Sequence, residues 1–149
     1  MNTTTTTATA IINDLIEICK DGQEGFQDAS ENVKHSDLKT LFSGYSLQRS
    51  KFAGELQQLV IGLGEEPEKS SSVASAMHRG WIDLKAALTQ GGDHAILAEC
   101  ERGEDYAVSA YRDALAGELP ANIRGTVSAQ SAAVQAAHDD IRNRRDASA

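Results

Sequence analysis

The sequence predicts an all-α domain, an antiparallel four-helix bundle carrying one short extra helix. Three observations predict it. Apolar residues recur at helical spacing over four long stretches of the 149-residue chain. The breaks between stretches are short and hold helix-ending residues: Gly64 with Pro67, Gly91-Gly92, and Gly117 through Pro120. Alanine is abundant, while aromatics make up only 5% of the chain, too few for a β-sandwich or barrel.

Taken in order, residues 1–7, Met-Asn followed by threonines, read as a disordered lead, and 8–146 as one bundle domain. The first helix spans 8–34, with Ile12, Leu15, Ile16, Cys19, Phe26 and Val33 as its stripe. Ser36-Asp37 offers an N-cap and an acidic first turn for a second helix over 37–63. Its stripe is Leu38, Leu41, Phe42, Tyr45, Phe52, Leu56, Leu59 and Leu63, and Gly64 follows as the C′ residue. A polar segment from Gly64 to Ser71 leads to a third helix over 72–89, with Val73, Met77, Trp81, Leu84 and Leu88 on one side. Ser70-Ser71-Ser72 is its capping cluster. Asp93 caps a fourth helix over 94–116 (Leu97, Cys100, Ala107, Tyr111, Leu115), and a fifth covers 121–145 (Ile123, Val127, Val134, Ile141).

The links near 35, 91 and 118 are short and join antiparallel neighbours. The path from the second helix to the fourth is long and carries the third. One long crossover between two antiparallel helix pairs is the ferritin-like topology; a plain five-helix array is the competing arrangement. Trp81 on the crossover is expected to cover one side or end of the bundle, with a dimer surface as the alternative.

Charge narrows the function classes. With 14 basic against 22 acidic residues the chain carries a formal net charge of −8, the wrong sign for phosphate backbones or anionic membranes. No run of about 18 apolar residues suggests a membrane span, and Met1 through Thr7 has no secretory-signal pattern. Two cysteines make no disulfide framework and point to a reduced, cytoplasmic setting; Cys19 and Cys100 read as small buried hydrophobes. His35, His78 and His94 read as surface residues, and Asp139-Asp140 with Arg142, Arg144 and Arg145 as surface ion pairs. No phosphate loop, zinc spacing or nucleophile–base arrangement occurs.

The informative residues are polar ones lying within apolar arcs. Gln23 lies between Cys19 and Phe26, Arg49 between Tyr45 and Phe52, Glu104 between Cys100 and Tyr111, and Gln130 and His138 flank Val134 and Ile141. Residues near helix midpoints meet at one level in an antiparallel bundle. A core layer of Gln23, Arg49, Glu104 and Gln130 is therefore expected, built on an Arg49–Glu104 ion pair, since a buried charge is tolerated only when paired. The competing reading lets Arg49 snorkel and keeps Glu104 at a helix edge. A di-iron carboxylate centre would need one Glu from each of two helices and Glu-x-x-His from each of the others. The nearest segments, Gln48-Arg49-Ser50-Lys51 and Gln135-Ala136-Ala137-His138, put Gln where the carboxylate belongs, and Arg49 would repel a metal pair. Glu104 and His138 remain as metal candidates for iron or manganese; Glu24, Glu55 and Glu101 are lesser candidates that read first as solvated helix face.

The chain resembles a bacterial family of ferritin-like four-helix bundles labelled as a domain of unknown function. The matching stretches are Leu15-Ile16-Glu17, Cys19-Lys20-Asp21-Gly22, Gly25-Phe26, Gln48-Arg49, Phe52-Ala53, Glu55-Leu56, His78-Arg79-Gly80-Trp81, Asp83-Leu84-Lys85, Glu101 through Tyr106, Tyr111-Arg112, Gln130 and His138-Asp139. The resemblance covers about residues 10–145 and implies a ferritin-like fold without implying a reaction. The expected role is non-catalytic: a structural, stress-associated or protein-interaction bundle with a degenerate metal site, no cofactor, and a homo-oligomer or protein partner. The alternative is a metal-binding oxidoreductase or metal-storage protein.

Overall fold

The computed structural model describes the backbone of residues 3–67 and 79–148, with side chains from Thr7 onward. Its helices are α1 (Thr3–Asn32), α2 (Ser36–Gly62), α3 (Leu84–Gln90), α4 (Asp93–Ala116) and α5 (Ala121–Ala147). No strand occurs among the described residues. None of these helices is long and apolar enough to cross a membrane.

Two antiparallel hairpins, α1–α2 and α4–α5, pack together mainly through α1 and α4, and α3 lies against α4 and α1. Cross-helix contacts fix the directions. Cys19 meets Tyr111 and Ile11 approaches Gly117, so α1 and α4 are antiparallel. Tyr45 meets Asp140 and Glu55 meets Gln130, so α2 and α5 are antiparallel. It follows that α2 and α4 run parallel, which requires the long crossover between them. This is the ferritin-like bundle topology.

Helix ends show both agreement and correction. Gly64 sits at φ 80, with Gly64 N–H donating to Ile61 O (2.9 Å) and Glu65 N–H to Val60 O (3.2 Å), a Schellman ending for α2. The threonines expected as a disordered lead instead form the first turns of α1, because an established helix propagates through residues of modest propensity. His35, not Ser36, is the N-cap of α2, and it makes no side-chain cap bond. Asp93 lies inside the first turn of α4 and caps elsewhere. Its carboxylate accepts Lys34 N–H (2.8 Å) and His35 N–H (3.1 Å) and meets His35 Nδ1 (2.6 Å), tying the α1–α2 turn to α4.

The described part of the expected third helix is not continuous: Arg79 through Asp83 form turns, and helix covers Leu84–Gln90. Gly80 has φ 105, which a continuous helix cannot contain. The Ser70–Ser72 cluster, Val73, Met77 and His78 lie outside the described residues. Trp81 is buried at 5% exposure, edge-on to Phe26 with ring centroids 5.5 Å apart. It fills the side of the bundle between two glycines. A Cβ on Gly25 of α1 would lie 2.7 Å from its ring, and one on Gly103 of α4 2.3 Å.

The apolar core forms two clusters. One is built on Ile12, Leu15, Ile16, Leu56, Val60, Tyr111, Ile123 and Val127; the other on Phe26, Phe42, Trp81, Ile96, Leu97, Cys100 and Ile141. Between them, near the helix midpoints, lies a layer of buried polar side chains.

Candidate functional site

Arg49 on α2 and Glu104 on α4 are each 1% exposed and face one another across the parallel pair. Arg49 Nη1 donates to Glu104 Oε1 (2.5 Å) and Nη2 to Oε2 (2.6 Å), a bidentate fork. A third guanidinium N–H, at Nε, donates to Gln48 Oε1 at 3.2 Å, and Cζ lies 5.4 Å from the Phe26 ring centroid. Burial works against the Arg49 charge, but the adjoining carboxylate more than offsets it and holds the guanidinium above its usual range. Space for the stem comes from Gly22 on α1, where a Cβ would lie 3.3 Å from Arg49 Cγ. The snorkelling alternative therefore does not describe this arginine.

The other two core residues depart from their expected parts. Gln23 is half-buried, and its backbone carbonyl accepts Ser46 Oγ (2.8 Å). Gly22 occupies the face of α1 that looks onto Arg49, so Gln48 takes the satisfying role assigned to Gln23. Gln130 is buried at 1% exposure but serves a separate network. Its Oε1 accepts from Tyr111 Oη (2.7 Å), and its Nε2 donates to Glu55 Oε1 (2.9 Å) and Phe52 O (3.4 Å). Cys19 Sγ lies 3.1 Å from Tyr111 Oη. With the Tyr111 proton committed to Gln130, the Cys19 thiol donates. A hydrogen-bonded chain Cys19–Tyr111–Gln130–Glu55 thus touches all four long helices. Cys19 and Tyr111 fit the apolar stripe in sequence; the one signal of this chain there is that a buried tyrosine hydroxyl needs a partner. Burial pushes the Cys19 thiol up to about 11 and the Cys100 thiol well above its ordinary range, so neither is a reactive thiolate.

A second ion pair, partly buried, ties the crossover to α1. The Arg79 guanidinium grips Asp21, itself 3% exposed, through Nε and through Nη2 to Oδ1 (2.9 Å), with Glu17 Oε2 3.6 Å from Nη1. Arg79-Gly80-Trp81 is thereby clamped to α1 by charge and by ring packing at once. No local pattern in the sequence pairs positions 58 residues apart.

The metal candidates receive different partners. Glu104 is committed to Arg49. His138 is half-buried on α5, with Nε2 2.5 Å from Asp105 Oδ1 and Nδ1 3.0 Å from Asp139 Oδ1. Glu24 is exposed, and Glu55 is exposed while bonded to Gln130. Glu101, expected on the solvated face, is instead 9% exposed, because α5 closes over it with Arg145.

A family model described as a domain of unknown function (DUF2383) matches residues 7–117, the greater part of the chain. The chain belongs to the DUF2383 family. The DUF2383 match spans α1 through α4 and ends before α5. No curated protein matches the chain. Among solved structures, a Dps1 mutant of Mycobacterium smegmatis is similar with a TM-score of 0.81 at 12% identity, over 97% of this chain and 99% of that one. At that identity the likeness shows the fold alone, and it agrees with the ferritin-like topology traced from the contacts above.

Proposed function

We propose that this DUF2383 chain is a non-catalytic ferritin-like scaffold that works by self-association. In this reading an ion-paired layer occupies the level where di-metal carboxylate bundles gather their ligands. The observation that carries the proposal is the bidentate Arg49–Glu104 pair, each residue 1% exposed. A guanidinium at that position holds the carboxylate and repels a cation. Support for self-association comes from the outer face of α2 and α5. Leu47 stands 74% exposed beside a groove lined by Gly44, Gly125, Ala129 and Ala133, small residues that admit close approach of a second copy. Ile82, 51% exposed just before α3, is a second candidate contact.

Size-exclusion chromatography with light scattering tests the assembly. The expected result is an oligomer that Leu47→Glu converts to monomer; a strict monomer at every concentration contradicts it. Aerobic ferrous-iron oxidation tests the non-catalytic part. Oxidation should proceed at the protein-free rate, and catalysis abolished by Glu104→Gln would favour the metal-oxidoreductase or storage alternative.

A further inference from the structure

Outside the central layer, α4 and α5 bring together Glu101, Asp105 and His138, whose ligand atoms all lie within 4.8 Å of one another. We propose that these three side chains bind one divalent transition-metal ion at the α4–α5 seam, away from the Arg49–Glu104 pair.

Three features carry the assignment. The donors form a mixed set of one imidazole and two carboxylates, which suits first-row divalent ions such as zinc, manganese or ferrous iron better than an oxygen-only ion such as calcium. Glu101 and Asp105 are four residues apart on α4 and project from one face. His138 Nδ1 is held by Asp139 Oδ1 at 3.0 Å, and Asp139 in turn accepts from Gln135 Nε2 at 3.0 Å, so Nε2 is aimed at the α4 carboxylates. That is the carboxylate-oriented histidine of metal sites. Glu101 is itself buried, and its Oε1 is ion-paired with the Arg145 guanidinium.

The distances are close to what an ion needs. Donors about 2.0–2.2 Å from a shared ion stand roughly 3–4 Å apart. The present 4.8 Å spread therefore closes by side-chain rotation, without helix movement. Arg145 is the competitor. It stands where the cation's charge would otherwise be supplied, is 31% exposed, and has an alternative partner in Asp146 at 2.9 Å. Binding moves Arg145 onto Asp146 and puts the ion on Glu101.

Calorimetric titration of Zn²⁺ into the full chain, stripped beforehand with chelator, tests the proposal. One ion per chain is expected. His138→Ala and Asp105→Asn should each weaken binding at least tenfold, in the range of lost ligands. Arg145→Gln should tighten it severalfold by removing the competing cation. His94→Ala, at an exposed histidine bonded to Ser148 Oγ, should leave binding unchanged. Circular dichroism of each variant checks that the helices are intact. No binding by the wild-type chain, equal binding by folded His138→Ala, or no tightening in Arg145→Gln overturns the assignment.

Discussion

Replacing Arg49 by methionine leaves the Glu104 carboxylate, 1% exposed, without its two charged donors at 2.5 and 2.6 Å. Replacing Glu104 by leucine strands the guanidinium in the same way, with only Gln48 Oε1 and the Phe26 face left to it. Removing one partner of a buried pair costs about 3–5 kcal/mol, because the survivor keeps its desolvation penalty. For a domain of this size each kcal/mol lowers Tm by about 2–4 °C, so each single variant should melt roughly 6–20 °C below wild type. The double variant Arg49→Met/Glu104→Leu removes both charges and fills the layer with apolar volume. Such replacements are neutral or stabilising by about 1–4 kcal/mol, so it should melt at or above the wild-type temperature. Thermal and urea melts followed by circular dichroism give the four corners of the cycle, with a coupling energy above about 3 kcal/mol expected. Single variants that melt with the wild type would refute the buried pair, and a double variant as unstable as the sum of the singles would refute the coupling.

Further outcomes follow from other parts of the structure. Gly103→Ala puts a Cβ 2.3 Å from the Trp81 ring and should cost about 1–3 kcal/mol; because the chain has a single tryptophan, a red-shifted emission would report the ejected ring directly. Burial opposes ionisation of Asp93, but its hydrogen bonds to His35 and to the Lys34 and His35 amides outweigh this and hold its carboxyl below the usual range. That stability is present above the unfolded pKa and is lost as pH falls through the lower folded value, so Asp93→Asn should cost about 0.5–2 kcal/mol at neutral pH and flatten the acid limb of a pH–stability curve. Cys19 and Cys100, both buried thiols, should resist alkylation at pH 8 in the native chain and react fully in denaturant; rapid native labelling would contradict their burial.

The bundle was legible because each long helix carries its own stripe, and because Gly64, Gly91-Gly92 and Gly117 mark real ends. The Arg49–Glu104 contact was legible for a related reason. A charge on an apolar arc near a helix midpoint has few places to find its partner in an antiparallel bundle. What escaped depends on features without local signature. Whether Gly22 or Gln23 faced Arg49 turned on one helical step, about 100°. The Arg79–Asp21 pair and the positive φ of Gly80 depend on where the crossover lands against α1 and α4. Glu101 looks solvated on its own helix and is buried only because α5 brings Arg145 over it. The Cys19–Tyr111–Gln130 chain was hidden because its first two members satisfy an apolar pattern while carrying polar atoms.

Anomalous diffraction from crystals soaked in manganese or zinc tests the central claim most directly. The account predicts no anomalous peak at Glu104, with the Arg49 guanidinium forked onto that carboxylate in the soaked crystal. A peak bonded to Glu104, with Arg49 displaced from it, would contradict the account.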